Sequence, residues 1–340
     1  MNPTLDWKNL PFGLHKTNSN IRYHFKDGAW GNMEVHQEET FQVHIAATAL
    51  HYGQEVFEGL KAYRGKDGQI RLFRWQENAA RMQESAKGIL MAEVPQKIFE
   101  EGIKEAVRQN KEFIPPYGTG GSLYIRPLLL GTGAQIGVKP AKEYMFMVFV
   151  TPVGPYFKEG FKPVDLLIVR ESDRSAPLGT GRFKVGGNYA ASLSSIEKAR
   201  ALGYASSLYL DCKEKKYIDE AGPANFFGIK NNTYITPKST SILPSITNMS
   251  IKALAKEMGM EVEVRPVPVA ELEEFEEVGA CGTAAVISPI KRIDDPSNNK
   301  SYLYCPDGQA GPKSTALYNK LTAMQFGDEE DTHGWIDFVE

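Results

Sequence analysis

Strand-like and helical stretches alternate on both sides of a single break, and this limits the possible folds more than any motif does. The break, Gly154-Pro155-Tyr156-Phe157-Lys158-Glu159-Gly160-Phe161-Lys162-Pro163, gathers glycine, proline and charge, the composition of a domain boundary. At 340 residues the chain exceeds what one hydrophobic core comfortably serves. Two domains are expected, residues 1–154 and 164–340, with a linker at 155–163. Before the break, residues 69–73 read as a strand after the turn Gly65-Lys66-Asp67-Gly68. Met82, Ala86, Ile89 and Leu90 recur at helical spacing within 78–90. Residues 122–130 and 144–153 are rich in β-branched and aromatic side chains and read as strands. After the break, 164–169 and 207–210 read as strands, and 190–202 as a helix stopped by Gly203. Residues 225–230 and 233–236 form a strand pair. Residues 248–258 carry Ile251, Leu254, Ala255 and Met258 on one helical face ended by Gly259, and 261–267 is again strand-like. Mixed elements in both halves define an α/β (α+β) protein.

Charge and composition remove several functions. A net charge of −3 with no Lys/Arg-rich run gives nucleic acid and anionic membranes no electrostatic handle. No apolar run reaches membrane-spanning length. The N-terminus has neither a signal-peptide apolar region nor the Arg-rich bias of a transit peptide, so the cytoplasm is the expected setting. Cys212, Cys281 and Cys305 are far apart and odd in number, as reduced thiols are. The six histidines show no ligand spacing, and no metal is expected. Gly131-Thr132-Gly133-Ala134-Gln135-Ile136-Gly137 follows an apolar strand and suggests a dinucleotide loop. Its third glycine is one residue late, and Val138-Lys139-Pro140 opens no helix. A nicotinamide oxidoreductase and a non-enzymatic small-molecule binding protein remain the readings from other classes.

The most informative segment for chemistry is Gly179-Thr180-Gly181-Arg182-Phe183-Lys184-Val185-Gly186-Gly187-Asn188-Tyr189. One lysine stands between two glycine clusters. Glycine permits positive φ and close approach to a bound group. A lysine held there away from bulk water can lose its proton and act as a nucleophile. A solvated loop charge is the other reading of the same residues.

This segment resembles the lysine region of the branched-chain amino acid aminotransferases, pyridoxal-phosphate enzymes of fold type IV. Further pieces follow in that family's order: residues 51–63 (His51-Tyr52-Gly53 through Phe57-Glu58-Gly59 to Tyr63), Leu72-Phe73-Arg74, Leu123-Tyr124-Ile125-Arg126-Pro127 and Pro152-Val153-Gly154. After the lysine come Asp219-Glu220-Ala221-Gly222 with Asn225-Phe226, Leu243-Pro244, Gly282-Thr283-Ala284 and Gly311-Pro312. The similarity runs from about Phe12 to Trp335. It implies a smaller N-terminal α/β domain and a larger C-terminal mixed-sheet, barrel-like domain carrying Lys184.

The resemblance also implies pyridoxal 5′-phosphate as cofactor. Lys184 would bond its aldehyde and then move a proton between the substrate α-carbon and the cofactor. Glu220 would face the pyridine nitrogen and Tyr189 the phenolic oxygen. Arg81, the backbone N–H groups of Ile246 and Thr247 at a helix N-terminus, and Thr283 would hold the phosphate. Phe12, Phe57, Tyr124 and Tyr156 match the apolar substrate walls, and Tyr52, Tyr124 and Arg126 the end that takes glutamate's distal carboxylate. Thr283 and Ala284 match positions at the substrate carboxylate. A homodimer is implied, with Tyr52 and Tyr156 near the second subunit. The implied reaction is ping-pong transamination of leucine, isoleucine or valine with 2-oxoglutarate. D-amino acid aminotransferases and aminodeoxychorismate lyases share the fold and are the alternative. Taken alone, Arg81 also reads as a solvated helix charge, Glu220 as an exposed acid, Phe12 and Phe57 as core, and Arg126 as a strand-edge charge. Two departures stand out. Pro223 occupies a position where many eukaryotic members have threonine. Ala285-Val286-Ile287-Ser288 lacks the Cys-x-x-Cys of redox-regulated mammalian forms, so no thiol switch is expected there.

Overall fold

The computed structural model describes residues 5–154 and 161–340. The expectations placed on Tyr156 and on linker residues 155–160 lie outside them. Backbone contacts divide the chain into two compact units. The first comprises Met1–Lys158, Phe183–Gly186 and Met324–Glu340, the second Glu159–Arg182 and Gly187–Ala323. The sequence puts Lys184 and the C-terminal tail in the second half. By backbone contacts Phe183–Gly186 and Met324–Glu340 group with the first unit. Long-range strand pairing, invisible to local patterning, is the reason.

The first unit is built on an antiparallel sheet of β1 (Asn20–Lys26), β2 (Ala29–Trp30), β3 (Glu34–His36), β4 (Glu55–Phe57), β5 (Leu60–Arg64), β6 (Ile70–Phe73), β7 (Ser122–Gly131) and β8 (Tyr144–Val153), plus the tail strand Ile336–Val339. The order is tail strand–β6–β5–β7–β8–β1–β2, with β3 on β1 and β4 on β7. The tail pairs Ile336 with Phe73 and Val339 with Ile70, and Asp337 accepts from the Trp75 indole at 2.7 Å. Helices α1 (Thr48–Tyr52), α2 (Trp75–Gly88) and α3 (Gln96–Arg108) belong here. On α3, Phe99, Gly102, Ile103, Ala106 and Val107 form the buried stripe. They pack with Met82 and Ala86 of α2 against Leu123, Ile125 and Leu129 of β7.

Strand alternation on β7 turns those three residues to the core and Tyr124 and Arg126 to the opposite face. Pro127 sits mid-strand where a ladder donor would normally be needed. It lies opposite the interruption between β4 and β5, where the Glu58 N–H donates to the Pro127 carbonyl at 2.8 Å. The missing N–H therefore falls at a gap in the ladder, where proline is tolerated.

In the second unit, β9 (Val164–Val169), β10 (Ser206–Leu210), β11 (Ile218–Ala221), β12 (Ala224–Lys230), β15 (Glu277–Gly282) and β16 (Val286–Asp295) close on themselves, because β11 pairs with both β10 and β12. Strands β13 (Thr233–Pro237) and β14 (Glu261–Arg265) extend from β12, and β17 (Lys300–Leu303) from β16. This is the barrel-like sheet expected, filled by Leu208, Phe226, Ile290 and Ile293 among others. Strand β14 stops at Arg265 rather than at residue 267, since prolines at 266 and 268 cannot supply ladder donors.

Helix α4 (Gly186–Ala201) starts four residues before the expected Ala190; α5 (Ile246–Glu257) and α6 (Pro312–Phe326) follow. The Ser245 hydroxyl caps α5 by accepting from the Asn248 N–H at 3.2 Å. At α6 the Glu277 carboxylate takes the Lys313 and Ser314 N–H groups at 3.0 and 2.8 Å. A side chain at Gly311 would come within 2.1 Å of that carboxylate, which explains the glycine before Pro312.

Candidate active site

Lys184 reaches its position through a short strap laid along β4. Val185 bridges Val56, the Phe57 N–H donates to the Lys184 carbonyl at 3.1 Å, and the Lys184 N–H donates to Ser85 Oγ on α2 at 2.9 Å. The Gly186 N–H donates to Glu55, whose carboxylate lies where a Cβ on Gly186 would be. None of Gly179, Gly181, Gly186 and Gly187 has positive φ. Space, not handedness, is what Gly181 and Gly186 provide: a Cβ would sit 2.2 Å from Ser175 Oγ or 1.9 Å from Glu55 Oε1. Gly186 also opens α4. The sequence obscures this start because glycine is a poor helix former, although first-turn N–H groups need no intrahelical partner.

The Lys184 Nζ lies 4.8 Å from the centre of the Phe57 ring. The residue is half-buried. Burial pushes its pKa down to about 8; Arg81 adds to the shift, Glu58 and Tyr124 oppose it, and Arg126 adds again. Glu58 has no exposed surface. Its Oε1 accepts from Arg81 Nε at 2.7 Å and its Oε2 from Arg81 Nη2 at 2.7 Å. Asn78 Nδ2 at 2.7 Å and the Gly59 N–H at 3.2 Å also donate to Oε2. Burial alone would raise the Glu58 pKa, but Arg81, Lys184 and Asn78 hold it below the ordinary carboxylate value.

On the other face of β7, Arg126 Nη2 donates to the Tyr124 hydroxyl at 2.9 Å. The Arg126 guanidinium lies 4.8 Å from the Phe57 ring centre, and its buried Nε has no hydrogen-bond partner among the described residues. Phe12 meets Tyr124 edge-on at 5.4 Å. This half-site thus unites Lys184, Arg81, Phe57, Tyr124, Arg126 and Phe12. Tyr52 is not part of it: it stands exposed on α1, and its hydroxyl donates to the Ile136 carbonyl.

The second unit holds the other named residues. Glu220 on β11 is 2% exposed. Its Oε1 accepts from the Leu243 N–H at 2.8 Å and Asn225 Nδ2 at 3.1 Å. Arg174 Nε lies 2.9 Å from its Oε2, out of line for a hydrogen bond. Asn225 is fixed in turn by the Leu243 carbonyl and by Asn248, which is tied to Tyr234 and Thr236. Ile246 and Thr247 occupy the first turn of α5. Thr283 and Ala284 lie in the β15–β16 turn, followed by Val286 at φ 65°. A β-branched residue in that region is strained, as happens where function over-determines a backbone. Tyr189 lies in the first turn of α4.

Several neighbours escaped the sequence reading. Glu55, Glu58, Asn78 and Ser85 surround the lysine and Arg81, while Arg174, Asn225 and Asn248 support Glu220. A signal existed for part of the first group. Asn78, Arg81 and Ser85, at i, i+3 and i+7, form one polar stripe on an otherwise apolar helix side. Arg174 left none, because its partner is 46 residues away in sequence. Among the described residues no group of three or more His, Cys, Asp or Glu could hold a metal ion.

The comparisons with known proteins agree with this geometry. A sequence model of amino-transferase class IV matches residues 55–293. A branched-chain-amino-acid aminotransferase of Haemophilus influenzae is 50% identical, with 99% of each chain covered. The crystal structure of the Escherichia coli branched-chain amino acid aminotransferase matches with a TM-score of 0.79 at 31% identity, covering 94% of this chain and 99% of that one. The T.th. branched-chain amino acid aminotransferase with pyridoxamine 5′-phosphate matches with a TM-score of 0.78 at 29% identity, covering 95% and 100%.

The cofactor is pyridoxal 5′-phosphate, and the side chains present fit it. Lys184 offers an amine that parts with its proton near pH 8. Glu220 offers a buried carboxylate of the kind that partners a pyridinium nitrogen. Arg81 and the start of α5 offer the donors a phosphate dianion needs. Fold, donor chemistry and full-length similarity converge, and the chain belongs to the branched-chain-amino-acid aminotransferases of the class IV amino-transferase family.

Proposed function

We propose that this enzyme exchanges the amino group of L-leucine, L-isoleucine or L-valine with 2-oxoglutarate, giving the branched 2-oxo acid and L-glutamate in two half-reactions. The observation that carries this reading is the Lys184 amine 4.8 Å from the Phe57 ring centre, which the Arg126 guanidinium of the Tyr124–Arg126 pair also approaches at 4.8 Å. Bound pyridoxal phosphate supplies an aldehyde and an electron-withdrawing ring. Lys184 would bond that aldehyde and, once freed, would hold and return the substrate α-carbon proton; an amine lowered to about 8 suits both directions close to neutral pH. Glu220 would face the ring nitrogen and favour its protonated form, and Tyr189 would donate to the ring oxygen. Arg81, the Ile246 and Thr247 N–H groups and Thr283 take the phosphate.

Phe12, Phe57, Tyr124 and Tyr156 wall the aliphatic side chain. Thr283 and Ala284 face the α-carboxylate. Arg126 and Tyr124 take the distal carboxylate of glutamate, and Tyr52, exposed on α1, would reach such a site from the second subunit. A buried guanidinium N–H without a partner costs about 1–3 kcal/mol, and a carboxylate accepting from Arg126 Nε would offset that. An exposed apolar patch supports a homodimer: Ile45, Leu50, Tyr52, Ile136 and Val138 stand out from α1 and the adjoining loop. The Gln135 N–H ties the two together by donating to the Ala46 carbonyl at 3.0 Å. Residues 155–163 serve as the linker. A cytoplasmic setting is supported by the free cysteines, and no helix among the described residues is long and apolar enough to cross a membrane.

Half-reactions test the assignment. L-Leucine, L-isoleucine and L-valine are expected to convert the lysine-bound cofactor to its amino form, followed by its visible band. Conversion by D-alanine but not by L-leucine would overturn the proposal. Arg126→Ala is expected to raise KM for glutamate more than for leucine; equal losses would make Arg126 structural.

A further inference from the structure

An arginine on a surface-facing helix position samples many rotamers, and Arg81 does not. Glu58 takes two of its three guanidinium nitrogens, Nε and Nη2, side-on at 2.7 Å each. In the planar fork this fixes the direction of the third nitrogen. The carboxylate is itself immobile: Asn78 Nδ2 and the Gly59 N–H hold Oε2, and the backbone at Glu58 is pinned to Pro127 where β4 gives way to β5. Burying a carboxylate this completely costs several kcal/mol before its partners are counted. A packing role alone would be filled as well by an apolar side chain.

The setting gives a second reason for the charge. The Lys184 amine and the Arg126 guanidinium each lie 4.8 Å from the Phe57 ring centre; Arg81, Glu58, Tyr124 and Arg126 all act electrostatically on that amine, and the Gly186 N–H of the strap donates to Glu55. Two guanidinium groups and burial all favour the neutral amine. Of the groups acting on Lys184, Glu58 is the buried carboxylate that opposes them.

We propose that Glu58 is a positioning residue of this site, which locks the Arg81 fork for the cofactor phosphate and sets a buried negative charge against the two arginines beside Lys184. The inference rests on the roles of Lys184 and Arg81 given above. Glu58 itself touches neither substrate nor cofactor; it acts through the two residues that do.

The test uses the apoenzyme with pyridoxal phosphate as probe and does not depend on turnover. Capture at Lys184 is trapped with cyanoborohydride and read by mass spectrometry as a function of pH, alongside the dissociation constant for pyridoxal phosphate. Glu58→Gln is expected to weaken cofactor binding about tenfold or more. It should also move the capture midpoint to lower pH by about one unit, since a neutral amine then exists at lower pH. Glu58→Asp, which keeps the charge, is expected to retain most of the midpoint. In an Arg81→Met background Glu58→Gln should change affinity less than threefold, because that effect passes through Arg81, while the midpoint shift persists.

A folded Glu58→Gln protein with affinity within twofold of wild type and an unmoved midpoint would overturn the proposal. If Glu58→Gln does not fold, the double variant with Arg81→Met, which removes both charges, takes its place. A midpoint equal to that of Arg81→Met alone then overturns the proposal. Wild-type apoenzyme that captures no pyridoxal phosphate at Lys184 would overturn the underlying reading, and this inference with it.

Discussion

Glu58 in the first unit and Glu220 in the second are both buried carboxylates beside an arginine, at 0% and 2% exposure. Their surroundings differ in one respect. Arg81 grips Glu58 in line through both oxygens, whereas Arg174 lies alongside Glu220 with its Nε out of line. Glu220 is held at its other oxygen, by a backbone N–H and by Asn225, which a polar chain connects to the start of α5. Where the arginine takes both oxygens, the carboxylate orients the arginine. Where asparagine and backbone fix one oxygen, the carboxylate is itself the group held in place. The same ion pair thus serves two purposes, distinguished by which partner is left to act.

The largest effect should come from uncovering these charges. Arg174→Met takes the guanidinium away from buried Glu220 and removes the donor to the Gly181 and Ser241 carbonyls. It is expected to cost about 3–5 kcal/mol in urea denaturation of the apoprotein. Arg81→Met should cost less, because Glu58 keeps Asn78, the Gly59 N–H and the nearby Lys184. Adding Glu220→Gln to Arg174→Met should recover much of the loss. A cost under about 1 kcal/mol for Arg174→Met would break the comparison, because Glu220 would then not depend on that arginine.

Catalysis separates the two carboxylates next. Glu220→Gln is expected to lower kcat by on the order of 10²-fold with cofactor affinity changed little, since it would remove the charge proposed to face the ring nitrogen. Glu58→Gln is expected to show itself mainly in cofactor retention. Steady-state kinetics at saturating pyridoxal phosphate, set beside equilibrium dialysis, distinguishes them. The opposite pattern, with retention lost at Glu220 and kcat lost at Glu58, would exchange their roles.

How much of this was legible follows from the range of each interaction. Residues 144–153 and 164–169 have the ends expected from their β-branched and aromatic runs, because turn residues bound them locally. The lysine segment could be picked out as chemistry for the same reason. Helix α3 was passed over although its stripe of Phe99, Ile103, Ala106 and Val107 is readable. What local patterning could not supply was pairing across distance: the tail strand on β6, the strap of Lys184 along β4, and Arg174 beside Glu220. The glycines show the limit most sharply. Of the two reasons expected for them, positive φ is absent at all four flanking positions, while close approach is found at Gly181 and Gly186, toward protein groups. Gly186 is required by a glutamate 131 residues earlier.

That glycine provides a smaller test, confined to the strap of the first unit. Gly186→Ala drives a methyl into the Glu55 carboxylate and is expected to destabilise by about 1–3 kcal/mol, with slower cofactor capture at Lys184. Gly187→Ala meets open space at normal φ and is expected to be neutral or to stabilise α4 by up to about 1 kcal/mol. Thermal melts of the two variants settle the point. Equal costs would mean that the strap tolerates displacement and that Glu55 does not hold it.

The smallest effect is a slope in pH, to which two lysines of the first unit contribute and, in the same sense, Lys252 of the second, whose pKa burial also lowers. Lys184 and Lys61 both fall from 10.5 to about 8, Lys61 by burial and Lys184 by burial together with Arg81. Below about pH 8 each is protonated both folded and unfolded, so neither makes stability depend on pH. Above it the unfolded chain binds more protons than the folded one, so apoprotein stability rises with pH, by up to about 1 kcal/mol per unit for each lysine. The useful window closes near pH 9, where the Cys281 thiol, raised by burial from 9.0 to about 12, begins to act in the opposite sense. Lys184→Met and Lys61→Met should each remove part of the slope in urea titrations between pH 8 and 9. Glu58→Gln should start the rise at lower pH, because it strips the carboxylate that opposes deprotonation of Lys184, and Glu220→Gln should leave the onset where it is. An onset that moves with Glu220 and not with Glu58 would assign the electrostatic control of Lys184 to the wrong carboxylate here.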